Sequence, residues 1–151
     1  TEAQITDEQL KAILEAANAA PACMGQYDHL HLTVVQKPEI LAQINAAFQK
    51  AVGDPNMQVT YGAPTVIYVS CKNEDEEIVK GCNAGVVMEN MLLEAADLGL
   101  VSQVLFANEE ITKLLQIPEG FRTVSAIAVG TSADALQERT LGTDKISTTT
   151  L

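Results

Sequence analysis

Apolar residues recur at helical spacing near the start of the chain, where Leu10, Ile13, Leu14 and Ala17 line one side of residues 7–19. Thr6 with Gln9 forms a capping box at the head of this helix, Asp7 and Glu8 favour its positive end, and Pro21 stops it. Leu30 to Val35 follows a polar turn and reads as a strand. Pro38 suits the first position of a second helix, which carries Ile40, Leu41, Ile44, Ala47 and Phe48 and ends at Gly53-Asp54-Pro55-Asn56. Pro64 to Cys71, PTVIYVSC, is apolar nearly throughout, as a strand buried on both faces is. The acidic turn KNEDEE then opens the longest helix, from about Glu76 to Leu98, with Gly99 as its natural stop.

Little of that helix's circumference is polar: Ile78, Val79, Cys82, Val86, Val87, Met88, Met91, Leu92, Leu93, Ala95 and Ala96 surround it. Such a rod is expected to be buried on every side, which a chain this small cannot manage alone, so a partner subunit is expected to cover it. Val101 to Phe106 is a short extended segment, Asn108 caps a helix that stops at Pro118, and Thr123 to Val129 is a further strand closed by Gly130. The tail from Ser132 has one strand-like patch around Ile146. Helices and strands in this order give an α+β fold, a sheet sandwiched by helices, without βαβ alternation.

The length of 151 residues fits one domain, 1–151. Nine Lys and Arg against 20 Asp and Glu leave a net charge of −11, which opposes binding to nucleic acid or to anionic lipid. No apolar run is long enough to span a membrane. The three cysteines, Cys23, Cys71 and Cys82, form no CxxC pair and lie in mostly apolar runs, a pattern read as reduced thiols in a cytoplasmic protein.

Candidate side-chain chemistry gathers in AAPACMGQYDHLHLTVV, residues 19–35, which holds Cys23 and the chain's two histidines, His29 and His31. A thiol–imidazole pair is possible there, but no third orienting group is evident. A metal site needs more ligands than these residues and Asp28 supply. No GxGxxG, GxxxxGK[ST] or GxSxG occurs in the chain. There remain two segments of small residues and accessible backbone, Pro21–Gly25 and LGLVSQV, which suit close approach to a flat ligand.

In order and spacing these segments resemble the nitroreductase family. Its Ala-Ala-x-x-Ala-Pro-Ser-x-x-Asn followed by a strand ending in Val-Val appears as AANAAPACMG and HLTVV. Its Ala-Pro and apolar strand appear as GAPTVIYVS, its Asn-Met-x-Leu-x-Ala-Ala-x-x-Leu-Gly-Leu as ENMLLEAADLGLVS, and its Ile-Pro-x-Gly before the last strand as LLQIPEGFRTVSAIAVG. The resemblance covers about residues 6–145. It implies a nitroreductase-like fold, with a central, mostly antiparallel sheet sandwiched by helices in a domain-swapped homodimer. It further implies FMN as cofactor, NAD(P)H as co-substrate and a small-molecule electron acceptor such as a nitroaromatic or quinone, in a ping-pong cycle through flavin N5. On the same basis Pro21, Ala22, Cys23, Met24 and Gly25 of one subunit cradle the flavin, Ser102, Gln103 and Val104 of the other line its ring, and Arg139 contacts its phosphate. Asn56 or Gln58 would bond the pyrimidine edge. No side chain need serve as acid, base or metal ligand, because the flavin carries the chemistry.

Departures from the family pattern point to a second reading. The family's Ser is Ala22 here and its Asn is Gly25, Tyr27-Asp28-His29 replaces a Gln-Pro-Trp, and the lid insertion of larger relatives is absent. The Arg-Ser-x-Arg phosphate anchor has no counterpart between Thr1 and the first helix. That anchor either precedes Thr1 or is missing, and the latter case fits a flavin store or interaction protein on the same scaffold.

Overall fold

The computed structural model describes residues 3–134, 140, 142 and 145–150. Its elements run α1 (Asp7–Ala19), β1 (Leu30–Val35), α2 (Pro38–Val52), β2 (Thr65–Lys72), α3 (Glu77–Asp97), β3 (Val101–Phe106), α4 (Glu109–Leu114) and β4 (Phe121–Gly130). Two short 3-10 turns, Cys23–Gly25 and Tyr27–His29, lie between α1 and β1. The strands form one sheet in the order β1-β2-β4-β3, and every pairing is antiparallel.

Strand β2 sits inside the sheet, and its alternate side chains serve two cores. Ile67 and Val69 face one side with Ile127 and Val129 of β4, against Ile13 and Ala17 of α1 and Ala84, Val87, Met91 and Ala95 of α3. Val66 and Tyr68 face the other with Ala126 and Ala128, against Leu41 and Ile44 of α2 and Ile111 of α4. The period of two along a pleated strand produces this division, and burial on both faces explains why β2 reads as an unbroken apolar run. Small residues make room for large ones across the ladder, with Tyr68 paired to Ala126 and Val66 to Ala128. Burial pushes the Tyr68 phenol well above its ordinary range, so it stays neutral.

The Thr6–Gln9 capping box is present in both directions, at 3.2 Å and 2.9 Å. Asn108 caps α4 by accepting from the Ile111 amide at 2.9 Å. Helix α3, expected to need cover from beyond one chain, is not enclosed on every side within it, and one expectation, at Ile146, is corrected. Lys80, Asn83, Ala84, Val87, Met91 and Ala95 are its buried face, whereas Ile78, Cys82, Val86, Glu89 and Leu93 form an exposed stripe at spacings of three and four. Ile146 lies in a bend and is exposed, not in a strand, because its backbone meets no ladder partner there.

Met91 is fully buried between α1, α3 and the sheet. Met91→Ala should cost about 2–5 kcal/mol in urea unfolding, whereas Gln43→Ala, on the exposed side of α2, should change stability by less than about 0.5 kcal/mol. Equal effects would place the core elsewhere.

Candidate functional site

The chain leaves α1 at Pro21 and must turn sharply to enter β1. It does so with Met24 at φ 53° and Gly25 at φ 71°, two consecutive left-handed residues of which only the glycine adopts that shape freely. The turn is closed by Gly25 N donating to Ala22 O (3.0 Å) and Gln26 N to Cys23 O (3.1 Å). It is tied down from α3, where the buried Asn83 Oδ1 accepts from Cys23 N at 2.8 Å. Met24 projects into solvent, 83% exposed. Pro21, Cys23 and Gly25 are exposed as well, and Ala22 is half-buried.

His29 lies in the second 3-10 turn, not in β1, so it does not share a strand face with His31. Its Nδ1 sits 2.7 Å from Asp75 Oδ1, and its Nε2 4.0 Å from Glu74. Asp75 is therefore the orienting carboxylate the sequence did not reveal, supplied from 46 residues away by the turn before α3. Cys23 is held through its backbone amide by Asn83, and His31 stacks edge-on against Phe121 at 6.1 Å. Cys71 is buried, and desolvation pushes its thiol up to about 11, which keeps it unreactive at neutral pH. All three cysteines are free thiols. Among the described residues no group of three or more His, Cys, Asp and Glu side chains could hold a metal ion.

The second segment begins where α3 ends. Gly99, at φ 71°, lets Leu100 N return to Ala95 O at 2.8 Å, and the chain continues directly into β3. As an edge strand β3 leaves one row of backbone groups outside the ladder. Two cavities open beside it. One of about 190 Å³ is lined by Ser102 and Gln103 with Tyr61, Gly62 and Gly130, and one of about 510 Å³ by Gln103, Val104 and Phe106 with Gln58, Met57 and Tyr61. The larger has the size of an ordinary small-molecule site, about 300–1,000 Å³.

Ser102, Gln103 and Val104 are thus brought together, and Gln58 joins them, while Asn56 does not line either cavity. Pro21–Gly25 is not brought to them. The loop is pinned at Asn83, and β3 starts beyond Gly99; at 1.5 Å per residue about 21 Å of α3, from Asn83 to Asp97, separates the two. Arg139 lies outside the described residues. Tyr61 was missed in the sequence, where only the Tyr-Gly pair before Ala63-Pro64 hints at a turn.

Residues 1–131 match the Nitroreductase family. The chain is 32% identical, over 137 residues, to a protein of Archaeoglobus fulgidus that carries the provisional name NADH dehydrogenase/NAD(P)H nitroreductase, covering 87% of this chain and 76% of that one. In structure it is similar to an FMN-bound nitroreductase of Bacteroides fragilis, with a TM-score of 0.84, 25% identity and coverage of 99% and 90% of the two chains. It also shares its fold with a nitroreductase of Desulfitobacterium hafniense, also solved with FMN, at a TM-score of 0.83, 22% identity and coverage of 99% and 90%. The chain belongs to the nitroreductase family. No helix among the described residues is long and apolar enough to cross a membrane.

If Asn83 holds the 21–25 loop, Asn83→Ala should cost about 1–3 kcal/mol by leaving a backbone donor without its acceptor. Faster hydrogen exchange at the Cys23 amide should accompany the loss. Asn83→Asp, which keeps the acceptor oxygen, should retain most of the protection. Unchanged exchange in the alanine variant would show that the loop is held by something else.

Proposed function

We propose that this protein is an FMN-dependent oxidoreductase that takes hydride from NAD(P)H and passes it to an electron-poor acceptor such as a nitroaromatic or quinone, working as a homodimer. The observation that carries this reading is the separation of the two flavin-type segments within one chain. A flat ring cannot touch both Met24–Gly25 and Ser102–Val104 across about 21 Å of helix. Two copies related by a two-fold axis, with their α3 rods antiparallel, would bring the Asn83 end of one beside the Gly99 end of the other. The exposed stripe through Ile78, Cys82, Val86 and Leu93 is then the seam, and Gly81 and Gly85 beside it permit close approach.

The residues present suit such a ring. The turn at 22–25 offers exposed backbone with small residues at Ala22 and Gly25, and the two cavities beside β3 are mostly apolar, with Gln58, Tyr61, Ser102, Gln103 and Thr131 as their polar groups. When bound, the flavin supplies reversible hydride acceptance and release, so the protein's part is to orient rings, exclude water and stabilise negative charge at the pyrimidine edge. The phosphate grip is assigned to Arg139. The alternative, a flavin store or interaction protein without turnover, draws on Ala22 and Gly25 in place of the family's polar residues.

Titration of the purified protein with FMN, followed in the visible spectrum, should show saturable binding in the micromolar range. NADH or NADPH should then be consumed steadily with a nitroaromatic acceptor. Binding without consumption selects the store, and no binding removes both the oxidoreductase and the store, leaving the interaction protein. Leu93 is 60% exposed in the single chain, at the centre of the proposed seam. Leu93→Glu should give a folded monomer by sedimentation and weaken FMN at least about tenfold, because a carboxylate in an apolar seam costs several kcal/mol. A dimeric, fully flavinated variant would move the interface off α3.

A further inference from the structure

Tyr61 stands at the common wall of the two cavities beside β3, lining both together with Gln103. It is 69% exposed and adopts φ 52°, a left-handed backbone that a bulky aromatic residue rarely takes. Two turns hold it there, Tyr61 N donating to Gln58 O (3.0 Å) and Ala63 N to Thr60 O (2.9 Å), with Gly62 also left-handed at φ 71°. Asn45 of α2 clamps the preceding residue from outside: its Oδ1 accepts from Thr60 N (3.2 Å) and its Nδ2 donates to Thr60 Oγ1 (3.0 Å). Thr60 is buried, and Pro64 and the fully buried Thr65 fix the other end.

Strained conformations that their surroundings over-determine cluster at ligand clamps and active sites. Unlike Gln116, which is also left-handed at φ 50°, Tyr61 lines both cavities beside β3. Here the strain carries a ring to solvent instead of into the core, in a chain that has only three Tyr, three Phe and no Trp. The wall Tyr61 forms carries no formal charge, since its neighbours in the two cavities are Gln, Ser, Thr, Gly and apolar residues. What such a wall recognises is a planar ring. An electron-poor ring gains most from the electron-rich face of a phenol.

We infer that Tyr61 is a specificity-determining residue, whose ring stacks on a planar, electron-poor aromatic acceptor and sets the preference of the site for such rings over acceptors without one. This rests on the oxidoreductase reading above, and it assigns the choice of substrate to this chain's own residue rather than to the flavin.

The test compares Tyr61→Phe, Tyr61→Ala and Tyr61→Gly with the wild type, all loaded with FMN. In calorimetric titration with 4-nitrobenzoate, Tyr61→Ala and Tyr61→Gly should weaken binding about three- to tenfold, the range of one aromatic contact, while Tyr61→Phe stays within about twofold. KM for 4-nitrobenzoate should rise in parallel, with KM for ferricyanide, which has no ring to stack, unchanged. Tyr61→Gly should melt at a higher temperature than Tyr61→Ala, because glycine takes the left-handed backbone without strain. That ordering separates loss of the ring from loss of fold. An affinity for nitrobenzoate that is the same in all four proteins, or a loss shared equally with ferricyanide or with Tyr61→Phe, overturns the assignment. If the wild type takes no FMN, the oxidoreductase reading fails by itself. The titration is then read on the protein as purified, and absence of nitrobenzoate binding there overturns the role of Tyr61.

Discussion

The pairing of β2 with β4 is the contact on which the rest depends. Both strands are buried on both faces along most of their overlap, so the sheet needs an apolar layer on each side. Helices α1 and α3 supply one layer, α2 and α4 the other. Because side chains alternate, a slip of one residue in the β2–β4 register would send Tyr68 toward α3 and Ile67 toward α2, exchanging two cores of different shape. The alanines opposite Tyr68 and Val66 fit one register only.

From that constraint the placement of the two half-sites follows. Helix α3 must cross the sheet face from the end of β2 to the start of β3, and its 21 residues set the distance between what lies at its two ends. One end holds the 21–25 turn through Asn83, and the other delivers β3. A rod that packs on one face against the sheet and presents an apolar stripe on the other separates the halves within a chain and offers the surface that can reunite them between chains. Fold and proposed assembly thus use opposite faces of one helix.

Elements were legible in the sequence wherever local chemistry decides them. The capping box at Thr6, Pro38 at a helix start, the Asn108 cap and Gly99 at a helix end each fix a boundary by hydrogen bonding or backbone freedom within a few residues. What could not be read depends on contacts distant in the chain. Asp75 behind His29, Asn83 behind Cys23 and Asn45 behind Thr60 lie 46, 60 and 15 residues away from the groups they hold. The apolarity of α3 pointed to cover from beyond one chain, but composition does not say which of its faces the chain's own sheet takes. The strand-like patch at Ile146 misled: alternation proposes a strand, and only a partner's backbone makes one.

The two half-sites share a construction that neither motif spacing nor periodicity reveals. In each, a left-handed residue precedes a left-handed glycine, Met24–Gly25 in one and Tyr61–Gly62 in the other. In each, the amide just before the pair is accepted by an asparagine Oδ1 from a neighbouring helix, Asn83 for Cys23 and Asn45 for Thr60. The geometry explains the repetition. Two successive left-handed residues reverse the chain within one turn and drive the large side chain outward, which is why Met24 and Tyr61 are among the most exposed apolar residues. A non-glycine residue held this way costs of order 1–3 kcal/mol, and a turn free to relax would escape that cost. The helix-borne asparagines prevent the escape. The same device thus holds an outward-facing side chain in a fixed place at two unrelated stretches of the chain, with the turn amides engaged inside the protein.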